Sequence, residues 1–217
     1  MAQIVVVGSP YRAGSGRIIA RTATDRGHTV RYVGDLGDPT RPGDLGELTD
    51  AATVLQGADA VVLVPRRGEP RVHTERATRV VLEQVRRHRP GAHFVLFSSF
   101  AVGHGPAHPL NRIDDTLLPA RVAAERMVRT SGLPYTVVRP TWMTDDPPGS
   151  HALTLSQHPY GDGMVARSDM ATAIVAAIEE PAGRCTTFSL FNEPGAPVAD
   201  WAAAFAALRR DDPQEEL

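Results

Sequence analysis

Apolar residues along this chain fall into two alternating spacings. Short unbroken runs, Ile4–Val7, Ala60–Val64 and Phe94–Phe97, stand between segments whose apolar positions recur every three to four residues. An unbroken run closed by a glycine or a polar turn predicts a strand buried on both faces. The other spacing predicts a helix over residues 16–26, on Ile18, Ile19, Thr22 and Ala23, ending at Gly27-His28. Further along, the pattern gives a strand at Thr29–Val33 and a helix over about Leu45–Gln56 closed by Gly57. A long helix over Val72–His88 ends at Pro90-Gly91, and another over Thr116–Thr130 ends at Gly132, with Pro134 barring continuation. A strand at Tyr135–Arg139 ends at Pro140, and Ser168-Asp169 reads as the N-cap pair of a helix running to Glu180. Thr186–Phe191 is a late strand, Val198–Leu208 an amphipathic helix on Trp201, Phe205 and Leu208, and Arg209–Leu217 a charged end expected to fray.

Strands alternating with helices predict an α/β fold: a doubly wound, mostly parallel Rossmann-type sheet with helices on both faces. One interval does not fit the full pattern. Only Gly34–Asp44 separates the second strand from the next helix, and a crossover plus a further strand needs more chain. The third strand is therefore expected to be missing or vestigial. In the order 3-2-1-4-5-6 it lies at the sheet's outer edge, so its loss spares the core but opens the adenine side of the crevice. All 217 residues read as a single domain, with about 140–217 completing the substrate side, and residues 144–163 read as a variable segment able to act as a lid.

Composition removes several functions. Cys185 is the one cysteine, which excludes disulfide frameworks, cysteine-rich zinc sites and Cys-x-x-Cys redox pairs. Lysine does not occur, which excludes Schiff-base enzymes and phosphate loops that depend on that amine. A net charge of -2 with scattered basic residues gives no nucleic-acid footprint. Nothing in the chain is long and apolar enough for a signal peptide or a membrane span, so a cytoplasmic protein without nucleic-acid or membrane partners is expected. No metal site is expected, and the sequence leaves the oligomeric state open.

The turn Gly8-Ser-Pro-Tyr-Arg-Ala-Gly14-Ser-Gly16 joins the first strand to the first helix. Glycines there let a backbone approach a pyrophosphate at the helix N-terminus. Gly8, Ser9, Arg12, Gly14 and Gly16 are thus the candidate cofactor contacts, although Gly8 to Gly16 is two residues longer than Gly-x-x-Gly-x-x-Gly. Asp35, near the end of the second strand, would meet ribose hydroxyls, whereas Arg12, Arg31 or Arg41 would meet a 2′-phosphate. The arginines tip the expectation toward NADP over NAD.

These segments together resemble a known family. Gly8 through Gly27-His28-Thr-Val, Leu48–Val62 (LTDAATVLQGADAVV), Phe94–Ser99 (FVLFSS), Ala123–Pro140 (AAERMVRTSGLPYTVVRP) and Met164–Ile178 (MVARSDMATAIVAAI) carry the likeness. They resemble the atypical and extended short-chain dehydrogenase/reductases, the NmrA-like and NAD(P)H-binding branch. The resemblance implies a cofactor fold. It does not supply a catalytic set. Members that transfer hydride often use a Ser or Thr, a Tyr, and a Lys four residues after the Tyr. Aligned through Ala124-Glu125, the lysine position holds Arg121, the tyrosine position Leu117, and the Ser/Thr position falls near Phe100, just past Ser98-Ser99.

The carboxyl ends of the strands should converge on the crevice. Pro65 and Ser98 are candidate cofactor contacts there. Arg66 and Arg67 suit a carboxylate or phosphate, and Trp142 and Met143 would wall the substrate side. His104 and His108 are candidates for acid–base work in place of the tyrosine, and Ser99 for holding a substrate carbonyl. The leading expectation is an NAD(P)-dependent oxidoreductase-like enzyme for a small, planar or acidic metabolite. A cyclase, isomerase or dehydratase that reuses the fold, with the cofactor unused, and a non-catalytic NAD(P)-binding sensor are the alternatives.

Overall fold

A computed structural model describes residues 1–9, 14–34, 51–66, 68–105, 107–158 and 162–212. Its strands are β1 (Gln3–Gly8), β2 (Thr29–Gly34), β3 (Ala60–Leu63), β4 (His93–Phe97), β5 (Tyr135–Pro140), β6 (Trp142–Thr144), β7 (Ala152–Ser156), β8 (Met164–Ala166) and β9 (Thr186–Glu193). The helices are α1 (Ser15–Asp25), α2 (Ala51–Leu55), α3 (Ala77–His88), α4 (Pro109–Ile113), α5 (Leu117–Arg129), α6 (Arg167–Glu179) and α7 (Trp201–Ala206). Seven strands form one sheet in the order β2-β1-β3-β4-β5-β9-β7, parallel up to β9, while β7 pairs antiparallel with β9. β6 and β8 form a separate parallel pair.

The unbroken apolar runs follow from this layering. Alternate residues of β1, Ile4 and Val6, pack with Ile19 and Ala23 of α1 and with Met170 and Ile174 of α6. The residues between them, Val5 and Val7, pack on the other face with Leu55 of α2, Val81 and Val85 of α3, and Ala124 and Val128 of α5. A strand covered on both faces has no polar side to show. Every residue of β3 and β4 is buried.

Several boundaries depart from the sequence pattern for identifiable reasons. Among the described residues β2 is the sheet edge; residues 35–50, on which both the expected loss of the third strand and the start of the expected Leu45–Gln56 helix fall, lie outside the described ones. The expected Val72–His88 helix begins earlier, with a π-helical stretch, Arg71–Arg76, running into α3. Ser168 and Asp169 do not cap α6. The cap position is Ala166, and the Asp169 carboxylate instead accepts from Gly149 N at 2.8 Å and Asn192 Nδ2 at 3.0 Å. The 144–163 segment, expected as a lid, supplies β7 and so extends the sheet beyond β9. The last helix shortens to α7 because Asp200 caps it, accepting from Ala203 N at 2.9 Å. Arg209–Asp212 does not fray: Asp211 accepts from Thr187 N at 3.0 Å, Thr187 Oγ1 at 2.6 Å and Tyr135 Oη at 3.0 Å. No helix among the described residues is long and apolar enough to cross a membrane.

Two ionisable side chains lie deep in this frame. His93, at the start of β4, is 1% exposed, with Nε2 at 2.8 Å from Thr136 Oγ1. The Thr136 hydroxyl spends its one proton on Gly183 O at 2.6 Å, so His93 Nε2 carries the hydrogen and donates. Burial pushes the His93 pKa down to about 4. Glu125, on α5, is fully buried and paired through Nε at 3.0 Å with Arg139 of β5.

Candidate active site

The carboxyl ends of β3, β4 and β5 open into a cleft of about 860 Å³, where parallel sheets hold their ligands. Phe97, Ser98 and Pro140 line it at those strand ends. One wall is Ile113 of α4 with Leu117 and Arg121 of α5; the other is Trp142 and Met143 of β6, Met164 of β8 and Arg167 at the start of α6. The floor is fixed from beneath. Glu125 accepts from both Arg139 Nε and Nη2 and from the Ser98 hydroxyl, tying α5 to the ends of β4 and β5. Arg121 braces the same corner, donating from Nη1 to Phe97 O at 2.7 Å, and burial lowers its pKa to about 10. That value keeps the guanidinium charged at neutral pH.

The start of α1 lies beside this cleft. Gly14 is the N-cap of α1, no side chain caps the helix, and its first turn holds no acid. Such an end suits an anion. Ser15, the first residue of α1, donates its hydroxyl to Met143 Sδ at 3.7 Å, so the helix end and the cleft share a wall. The glycines have a further cause that spacing did not reveal. A Cβ at Gly8 or at Gly16 would stand 3.0 Å from the hydroxyl of Tyr32, on β2. Tyr32 cannot yield easily, because its hydroxyl donates to Ser9 O and the Arg17 guanidinium covers its ring at 3.7 Å. Gly16→Ala is therefore expected to destabilise the fold by about 1–3 kcal/mol. Adding Tyr32→Phe removes the 3.0 Å contact and leaves neighbours at 3.5 Å and beyond, so the double variant should recover most of the loss. Thermal melts of the four proteins in the cycle measure this, and a simple sum of the single effects would refute Tyr32 as the cause.

The expected site residues are distributed as follows. Pro65, Arg66, Ser98, Ser99, Trp142 and Met143 all line the cleft. The Ser98 hydroxyl is committed to Glu125 and the Ser99 hydroxyl weakly to Ala101 N at 3.4 Å, so Ser99 is the serine with side-chain capacity left. Gly8, Ser9, Gly14 and Gly16 surround the start of α1; Arg12, Asp35, Arg41 and Arg67 lie outside the described residues. Arg31 is occupied elsewhere, donating to Val54 O at 2.9 Å and Gln56 O at 2.6 Å around the end of α2. His104 and His108 do come together, with ring centroids 4.9 Å apart, but they do not line the cleft. They pack edge-on against Phe100, whose ring in turn meets Trp142. His108 caps α4 by accepting from Leu110 N at Nδ1, and burial together with the neighbouring His104 lowers its pKa. Pro109 at the first position of α4 was a readable sign of that helix. Sequence reasoning missed Arg167, Ile113 and Met164 as wall residues. It met Leu117 and Arg121 only as replaced positions, although their four-residue spacing already put them on one helix face.

A family model described as NAD(P)H-binding matches residues 14–181. Sanguinarine reductase of Eschscholzia californica is 30% identical over 54% of this chain and 45% of its own length. The chain spans just under half the length of the curated relatives it matches. Among solved structures, a putative NAD-dependent epimerase/dehydratase from Bacillus halodurans superposes with a TM-score of 0.76 at 18% identity, covering 95% of this chain and 99% of that one. A short-chain dehydrogenase/reductase from Veillonella parvula in complex with NADP gives 0.64 at 16% identity, over 90% and 97% of the two chains. These two likenesses establish the Rossmann-type fold.

Proposed function

Since this chain belongs to the NAD(P)H-binding branch of the atypical short-chain dehydrogenase/reductases, we propose that it is an NAD(P)H-dependent reductase of a small metabolite, with NADPH preferred. One observation carries this reading. The uncapped start of α1 and the 860 Å³ cleft adjoin through the Ser15–Met143 contact, so the phosphate end and the reaction end of a dinucleotide would have neighbouring seats. Gly14, Ser15 and Gly16 would hold the phosphates. The preference for NADPH is supported by Arg17, whose cation lies over Tyr32 of β2. The name of the reductase relative supports the direction of the chemistry.

When bound, the nicotinamide supplies a hydride. The chain's own residues must then position the substrate and manage charge. Ser99 offers a hydroxyl to a substrate oxygen, and Arg121 holds a fixed positive charge in the cleft wall. The described lining of the cleft contains no tyrosine, lysine or histidine, so none of these three side chains is offered there as a proton donor. Leucine at position 117 also favours a second reading, in which the fold performs non-redox acid–base chemistry. The protein is expected to bind NADPH saturably and to oxidise it when offered electron-poor conjugated acceptors. Product formed without NADPH consumption would establish the second reading, and absence of any nicotinamide binding would overturn both the cofactor and the reductase assignment.

A further inference from the structure

Resting on that reductase reading, we propose that the substrate is a flat, largely apolar molecule bearing an acidic group. Arg121 receives the anionic oxygens, and Ile113, Trp142 and Met164 hold the part of the molecule that projects from the cleft.

Arg121 supplies the charge. Its Nη1 is spent on Phe97 O at 2.7 Å, and its Nε is sealed from solvent without a hydrogen-bond partner. The carboxylate one turn further along the same helix, Glu125, is consumed by Arg139 and Ser98. Arg121 thus stands in the cleft wall as a cation with no salt bridge among the described residues, the Glu125 carboxylate offsetting only part of the effect of burial on its charge. A half-buried guanidinium left in this state favours an incoming anion, because the ligand restores what burial removed. The rest of the lining agrees in sign. Arg66 and Arg167 also line the cleft, and Arg167 pairs with the exposed Asp145. The opposing acid, Asp114, already accepts from Thr116 N at 2.9 Å and Thr116 Oγ1 at 2.6 Å.

The rim supplies the apolar surface. Ile113 is 77% exposed, Met164 58% and Trp142 42%; apart from Met1 they are the large hydrophobic side chains exposed among the described residues. Scattered, such residues need no cause. Here all three converge on one mouth, Ile113 on one wall and Trp142 and Met164 on the other, as a cleft built for an apolar ligand larger than its own depth would have them. Trp142 is braced edge-on by Phe100 at 5.6 Å, which suits it to present a flat face to a flat ligand.

Two dyes of one ring system separate the charge from the apolar body: anilinonaphthalene sulfonate and its uncharged counterpart N-phenylnaphthylamine. Each is titrated by fluorescence into the full chain saturated with NADP. The wild type should bind the sulfonate about tenfold more tightly than the neutral dye, and Arg121→Met should abolish that advantage without weakening the neutral dye. Arg121→Lys should keep part of the advantage, and Ile113→Ser with Met164→Ser should weaken both dyes alike. Sulfonate affinity within about twofold of wild type in Arg121→Met overturns the proposal. Should Arg121→Met fail to fold, the wild type decides, since equal affinity for the two dyes overturns it equally. NADPH affinity measured on the same proteins separates the two levels of the account. Loss of NADPH binding in Arg121→Met makes Arg121 a cofactor contact and ends this proposal; no NADPH binding by the wild type ends the reductase reading itself.

Discussion

Glu125→Ala is expected to lower folding stability by about 3–5 kcal/mol, the cost of leaving a partly buried arginine without its carboxylate. Glu125 is fully buried and receives two hydrogen-bonding groups from Arg139 and one from Ser98. Removing the carboxylate strands the Arg139 cation and the Ser98 hydroxyl together. Removing both charges should be far milder. The double variant Glu125→Leu with Arg139→Met replaces the pair by apolar volume and should recover most of the loss. Urea unfolding of the wild type, both single variants and the double variant measures this. A Glu125→Ala effect below about 1 kcal/mol would show that the cluster is wetter than its burial indicates. Because the same cluster fixes the ends of β4 and β5, the single variant should also weaken ligand binding in the cleft above it.

The second large effect is on pH dependence. Stability should fall by up to about 3 kcal/mol as the pH drops from about 6.5 to about 4, owing to His93. The sign follows from proton binding. Burial holds the folded pKa at about 4 against an ordinary 6.5, so between those values the unfolded chain takes up a proton that the folded chain refuses. Stability therefore rises with pH across that window, is complete above it, and is lost on acidification. His93→Gln, which can still donate to Thr136, should flatten the curve there. Chemical denaturation at several pH values tests this, and parallel curves for wild type and variant would exclude His93 as the source.

Much of the frame could be read from the chain because burial on two faces writes itself as unbroken apolar runs. Ile4–Val7 and Phe94–Phe97 became central strands for that reason, while the expectation of a missing outer strand falls on residues outside the described ones. What escaped depended on pairing at a distance. Asp169 looked like a helix cap from its neighbours, but it serves Gly149 and Asn192, twenty or more residues away. Gly8 and Gly16 signalled a phosphate turn, while the atom that most restricts them belongs to Tyr32 on another strand. The cleft was half legible. Strand ends named Ser99, Arg66 and Trp142, because the topology fixes where strand ends go. His104 and His108 looked suited to proton transfer by type, yet the turn after β4 places Phe100 between them and the cleft wall. Arg121 was visible only as a lost lysine; its unsatisfied guanidinium is a property of packing.

The central claim is that the crevice from α1 to the cleft holds a reduced nicotinamide dinucleotide, and Trp142 reports on it directly. Its indole lines the cleft, whereas Trp201, the other tryptophan, packs against Phe205 in α7. Titration with NADPH should quench tryptophan fluorescence saturably, with the quenching retained in Trp201→Phe and largely lost in Trp142→Phe. No saturable change with NADPH or NADH, or quenching carried equally by Trp201, would contradict the account.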